Sequence, residues 1–148
     1  VLIDTPRLES WATLPARGAA SGDTSGVRYV TLPGIYNSGP THWQTQWEAD
    51  GEMVRFAPSD WDEPRVDDWV AAVDTAVGSD EPVVLVAHSL ACLLVPIWAS
   101  RSSLSVAGAF MVAPVDPDSV EFPAAGFEFA GFPRGPLGFP ALVVGQPQ

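Results

Sequence analysis

From Gly26 onward the chain alternates between short, unbroken apolar runs and longer stretches in which apolar residues recur every three or four positions. The runs VRYVTL (27–32), EMVRFA (52–57), PVVLVA (82–87), 106–113 and 141–144 predict strands. Between them, 40–50 predicts a helix with Trp43 and Trp47 one turn apart and Gly51 as its stop. A second helix spans 65–77, where Val66, Trp69, Val70, Val73 and Val77 share one face. A third spans 90–101. Strands that do not alternate polar with apolar, separated by helices, belong to a parallel sheet buried on both faces. With right-handed crossovers this predicts an α/β fold, a doubly wound and mainly parallel five-stranded sheet of order 2-1-3-4-5.

Two segments break the rhythm. Residues 1–26 read as a poorly defined N-terminal extension: LIDTPRLESWATL suits a short strand or helix, and PARGAASGDTSG is small, polar and linker-like. Residues 119–139 hold five of the seven phenylalanines among prolines and glycines, without helical or strand period. The plain expectation is an irregular connection that tucks its rings onto the core. A sharper one makes Phe127 and Phe129 the wall of an apolar acyl pocket.

Composition narrows the chemistry. At 148 residues and 47% apolar content the chain supports one domain with a sizeable core. Its 18 acidic residues face seven arginines and no lysine, a net charge of −11. The missing lysine excludes a Walker-type phosphate loop, a Schiff-base lysine and a Ser-Lys dyad. The negative field disfavours nucleic acid and anionic lipid as partners. A single Cys92 and two histidines make a Cys/His zinc cluster implausible, so neither metal nor cofactor is expected. The N-terminus has no basic region followed by an apolar run, and the apolar stretch 83–99 is interrupted by His88, Ser89 and Pro96. A cytoplasmic protein is the expectation.

The segment Ala87-His88-Ser89-Leu90-Ala91 places a serine where a buried strand gives way to a helix. It is a nucleophile-elbow pattern with alanine at both glycine positions. The serine must stand on a strained turn, so the residues two before and two after it must be small. The helix beneath it aims the Leu90 amide toward a developing oxyanion. Read alone, a serine at a strand-to-helix boundary can also be only an N-cap. The glycine-rich loop 33–39 decides in favour of chemistry. It follows the first strand, so in a sheet of this order it meets Ser89 at the crevice where ligands bind, and its Ile35 amide is the second oxyanion candidate.

The segments TLPGIYNSGPTHWQTQWE, SDWDEPRVDDWV, PVVLVAHSLACL, VAGAFMVAPVDPD and FPALVV follow in unbroken order over residues 27–146. Together they resemble the small serine hydrolases of the RBBP9/YdeN type, minimal α/β-hydrolases without a large lid domain. The resemblance implies Ser89 as nucleophile, amides at Leu90 and near Ile35 as oxyanion hole, and hydrolysis of small esters or amides through an acyl-enzyme. Two departures qualify it. The family has HSLG where this chain has HSLA, and it keeps its acid just after the strand matching ALVV and its histidine after one further strand. The chain reaches Gln148 about where that acid is expected. The expectation is therefore a chain incomplete at the C-terminus, lacking the last strand and the triad Asp and His, and nearly inactive alone.

Other residues are weaker candidates. His88 is expected to be structural, because neighbours on an elbow point apart. His42 is placed near the mouth of the site, Asp116 is expected to cap the turn after the fourth strand, and Cys92 is expected in the core. The competing functional reading is a non-catalytic binding module that kept the fold. A flavodoxin-like nucleotide or response-regulator domain shares the strand order but requires an acidic cluster after the first strand, which is absent here.

Overall fold

The computed structural model describes residues 26–51, 53–78 and 80–145; the expectations for the N-terminal extension, Gly26 apart, lie outside it. Five strands, β1 (Arg28–Leu32), β2 (Met53–Arg55), β3 (Val83–His88), β4 (Gly108–Val112) and β5 (Ala141–Val144), form one sheet of order β2-β1-β3-β4-β5. Every pairing is parallel. Three helices, α1 (Trp43–Asp50), α2 (Val66–Val77) and α3 (Ala91–Arg101), connect the first four strands. The strand order matches that expected from the apolar runs.

Paired residues of a parallel ladder share a face, so the register divides the sheet. Val30, Leu32, Val83, Leu85, Ala87, Ala109 and Met111 belong to the main core with α2 and α3. Asp74 of α2 ties these helices together by accepting from Trp98 Nε1 (2.7 Å) and Ser102 Oγ (2.6 Å). Phe56, Trp61, Trp69 and Phe129 meet edge-on, with neighbouring centroids 5.3–5.7 Å apart. Such pairs each add about 0.5–1.5 kcal/mol beyond their area burial. The opposite face carries Thr31, Val86, Phe110 and Leu142 in one row beneath α1, whose Trp47 stacks on Phe110 at 5.9 Å.

Several elements are shorter than the apolar runs suggest. Helix α1 starts at Trp43 rather than at residue 40, because His42 is extended (ψ 145°) and its Nδ1 caps the Gln44 amide. Strand β2 ends at Arg55, with the Phe56 amide still donating to Thr31 O, and Pro58 offers no amide to continue. Strand β4 ends before Ala113, which is left-handed (φ 52°). The phenylalanine-rich connection is not wholly irregular: Ala124–Gly131 forms a 3₁₀ helix. No helix among the described residues is long and apolar enough to cross a membrane.

Candidate active site

Ser89 lies between β3 and α3 with φ 56°, a left-handed conformation that costs a non-glycine residue about 1–2 kcal/mol. The surroundings over-determine it. Its amide donates to Val112 O at the end of β4 (3.1 Å), and its carbonyl accepts from the Cys92 amide (3.0 Å). Ala87 and Ala91 are fully buried on either side, so the small residues sit where the turn is most crowded. Ser89 itself remains partly exposed.

The loop from β1 to α1 comes up against this turn. A Cβ on Gly34 would lie 3.0 Å from His88 O, 3.1 Å from Ser89 Cβ and 3.2 Å from Leu90 N. The loop and the elbow therefore touch backbone to backbone, and only glycine permits it. The Tyr36 amide donates to Trp61 O (2.9 Å) and the Asn37 amide to Gly34 O (3.1 Å). Both amides are thereby taken, and Ile35 remains the loop's candidate oxyanion donor beside Leu90's.

Tyr36 (φ 67°) and Asn37 (φ 65°) are consecutive left-handed residues, neither of them glycine. Two polar side chains that sequence reasoning did not single out hold Asn37 and the following Ser38. Arg55 of β2 donates from Nη1 to Asn37 Oδ1 (2.8 Å) and Ser38 O (2.9 Å), and from Nη2 to Thr45 Oγ1 (2.7 Å). Its Nε pairs with Glu48 (2.8 Å). Gln44 is fully buried; its Nε2 donates to Leu32 O (3.2 Å) and Val86 O (3.0 Å), and its Oε1 accepts from Ser38 Oγ (2.8 Å). An arginine inside a three-residue strand was the available signal for the first. For the second there was none, because glutamine is ordinary in a helix.

The two histidines pack on each other, ring centroids 4.6 Å apart and edge to face. His88 projects on the α1 side of the sheet, in line with its expected structural role, and also meets Trp43. Burial, and then the Arg55 charge, hold the His42 pKa below its usual value; burial, and then His42, do the same for His88. His42 is the N-cap of α1 rather than a residue within it. Asp116 caps its own turn, its Oδ1 accepting from the Asp118 amide (2.9 Å), as the sequence suggested. Cys92 is buried, its thiol pKa pushed far up by desolvation, and its Sγ donates to Val112 O (3.4 Å).

The phenylalanine-rich segment reaches the site in part. A Cβ on Gly126 would lie 3.1 Å from the Leu90 side chain, so the 3₁₀ helix rests on the residue after Ser89. Phe129 is wholly buried against Trp69 and builds core rather than a surface a substrate touches, whereas Phe127 is 72% exposed. An apolar groove of about 460 Å³ lies elsewhere, beneath α1 between Tyr29, Trp47, Val84, Phe110 and Leu142, and Ser89 does not line it. No group of three or more potential metal ligands occurs among the described residues.

A parallel sheet of order 2-1-3-4-5 with a left-handed serine at the turn after its central strand is an α/β-hydrolase-like architecture. Residues 29–147 match the Serine hydrolase family, and the chain belongs to that family. Among solved structures it is similar to a protein described as a YdeN-like hydrolase from Pectobacterium atrosepticum, at 27% identity and a TM-score of 0.67, over 81% of this chain and 63% of that one. It also shares its fold with the ydeN gene product of B. subtilis, at 21% identity and a TM-score of 0.55, over 72% and 61% of the two chains. The chain thus spans less than two thirds of the length of either protein. No curated protein matches the sequence.

Proposed function

We propose that Ser89 is the nucleophile of a hydrolase acting on small esters or amides. The observation that carries this reading is the left-handed Ser89, partly exposed, with the Gly34 loop pressed against its backbone. In the first step Ser89 Oγ bonds to the substrate carbonyl carbon, and the carbonyl oxygen takes the negative charge between the Leu90 and Ile35 amides. Collapse breaks the bond to the alcohol or amine, which leaves with the serine proton, and water then releases the acid from the acyl-enzyme.

The proton needs a base. His42 uses Nδ1 to cap α1, and His88 lies under α1 packed on His42. The sequence holds no third histidine, so a histidine base would come from chain other than these 148 residues. Loss of a triad histidine costs on the order of 10⁶-fold in turnover, while the oxyanion hole and binding retain roughly 10³–10⁴ over water. The 148 residues alone should therefore turn over slowly, and selective reaction at Ser89 is expected once a base is supplied.

The test is prolonged incubation with an organophosphonate, with imidazole added as the base, followed by peptide mass analysis. The adduct is expected at Ser89 ahead of the exposed Ser59, and Ser89→Ala should abolish it. A folded protein modified no faster at Ser89 than at Ser59 would refute the reading and favour a binding module without catalysis.

A further inference from the structure

We infer that Arg55 is the positioning residue of the oxyanion loop, a proposal that rests on the Ser89 reading and extends it to β2. The loop carries two consecutive left-handed residues, Tyr36 and Asn37, two positions after Gly34, which abuts Ser89. Left-handed pairs without glycine revert to extended or helical backbone unless outside contacts hold them. Reversion would swing the Ile35 amide away from Leu90.

Arg55 is the group that ties the C-terminal side of the strained turn to α1. One edge of its guanidinium meets Asn37 Oδ1 and Ser38 O, and the other is fixed to α1 through Thr45 Oγ1 and Glu48. The Ser38 amide donates to the same Asn37 oxygen (2.8 Å), so Asn37 is pinned from two directions. Thr45 Oγ1 also donates to Ser38 O (3.3 Å). The arrangement needs a planar fork with donors in three directions, which lysine does not possess. It also explains a charged residue at the end of β2 between two apolar neighbours, Val54 and Phe56.

Arg55→Met and Arg55→Lys test it, with Asp74→Ala as a stability control between α2 and α3, away from the loop. Two readouts are taken on the 148-residue chain: the backbone conformation of Tyr36 and Asn37, from NMR couplings and carbon shifts, and the rate of organophosphonate modification at Ser89 with imidazole added as the base. Both Arg55 variants are expected to lose the left-handed signature and to slow modification by about a hundredfold or more, the lower end of the range for a lost oxyanion donor. Asp74→Ala should lower the melting temperature while keeping both readouts. Retention of the left-handed turn in Arg55→Lys overturns the proposal, as does loss of the turn in Asp74→Ala. If the wild type shows no selective modification while Arg55→Lys loses the turn, the nucleophile reading falls and Arg55's hold on the loop stands.

Discussion

Gly34 is the residue with the least freedom to change. Its place in the loop is not dictated by left-handed backbone but by the closeness of His88 O, Ser89 Cβ and Leu90 N around a missing side chain. All three neighbours belong to a turn pinned at both ends, so none can give way cheaply. Gly34→Ala is expected to cost about 1–3 kcal/mol of stability, the range for inserting one carbon into a packed site, and to slow Ser89 modification; urea unfolding and adduct kinetics check both. The histidine pair makes a second prediction. Both pKa values are lowered in the fold, so the folded state binds fewer protons than the unfolded chain. The stability they contribute is therefore present above the usual histidine value of 6.5 and is lost as pH falls below it. His42→Asn keeps a capping oxygen and removes the charge, and should flatten the fall in stability between about pH 6.5 and 5; an unchanged slope would assign that fall to other groups. Ser89 was legible in the sequence because elbow chemistry constrains its immediate neighbours to be small. Arg55 and Gln44 were not, because their partners lie on other elements and no local pattern joins them.

At the level of elements, the strands were legible for a physical reason. A strand covered on both faces has to be apolar throughout, and residues 83–87 read that way without reference to any partner. Helix α2 was legible from its stripe, and Val66, Trp69, Val73 and Val77 are buried. The 3₁₀ helix was not. Its residues AAGFEFAG have no apolar stripe of their own, and the element is held by what it touches: Gly126 on Leu90 and Phe129 on Trp69. The two phenylalanines should then separate sharply. Phe129→Ala empties a fully buried position and is expected to cost about 3–5 kcal/mol. Phe127→Ala removes an exposed ring and should stay within about 0.5 kcal/mol. Paired urea unfolding curves compare them, and similar losses would mean that the 3₁₀ helix packs through both rings.

At the scale of the molecule, the charge of −11 was read from composition, but its distribution required the fold. Four described arginines are in ion pairs: Arg28–Glu81, Arg55–Glu48, Arg65–Glu128 and Arg101–Asp67. Arg134 lies over the Phe132 ring at 4.8 Å. The exposed carboxylates of Asp60, Asp62 and Glu63 follow β2, and those of Asp116, Asp118 and Glu121 follow β4. Both loops stand at the carboxyl ends of parallel strands, so negative charge collects at the edge that holds Ser89. Salt then acts in two opposing ways. It weakens the ion pairs, which at exposed sites contribute no more than about 1 kcal/mol each. It also screens repulsion among carboxylates that outnumber the cations, a collective term reaching about 30 Å at 0.01 M salt and about 3 Å at 1 M. The excess of acid decides the balance, so the urea midpoint at pH 8 should rise with sodium chloride, and potassium chloride should do the same. At that pH the histidines are neutral in both states and contribute nothing to the change. A midpoint that falls with salt would show instead that the four ion pairs, Arg55–Glu48 at the loop foremost, outweigh the repulsion of the whole surface.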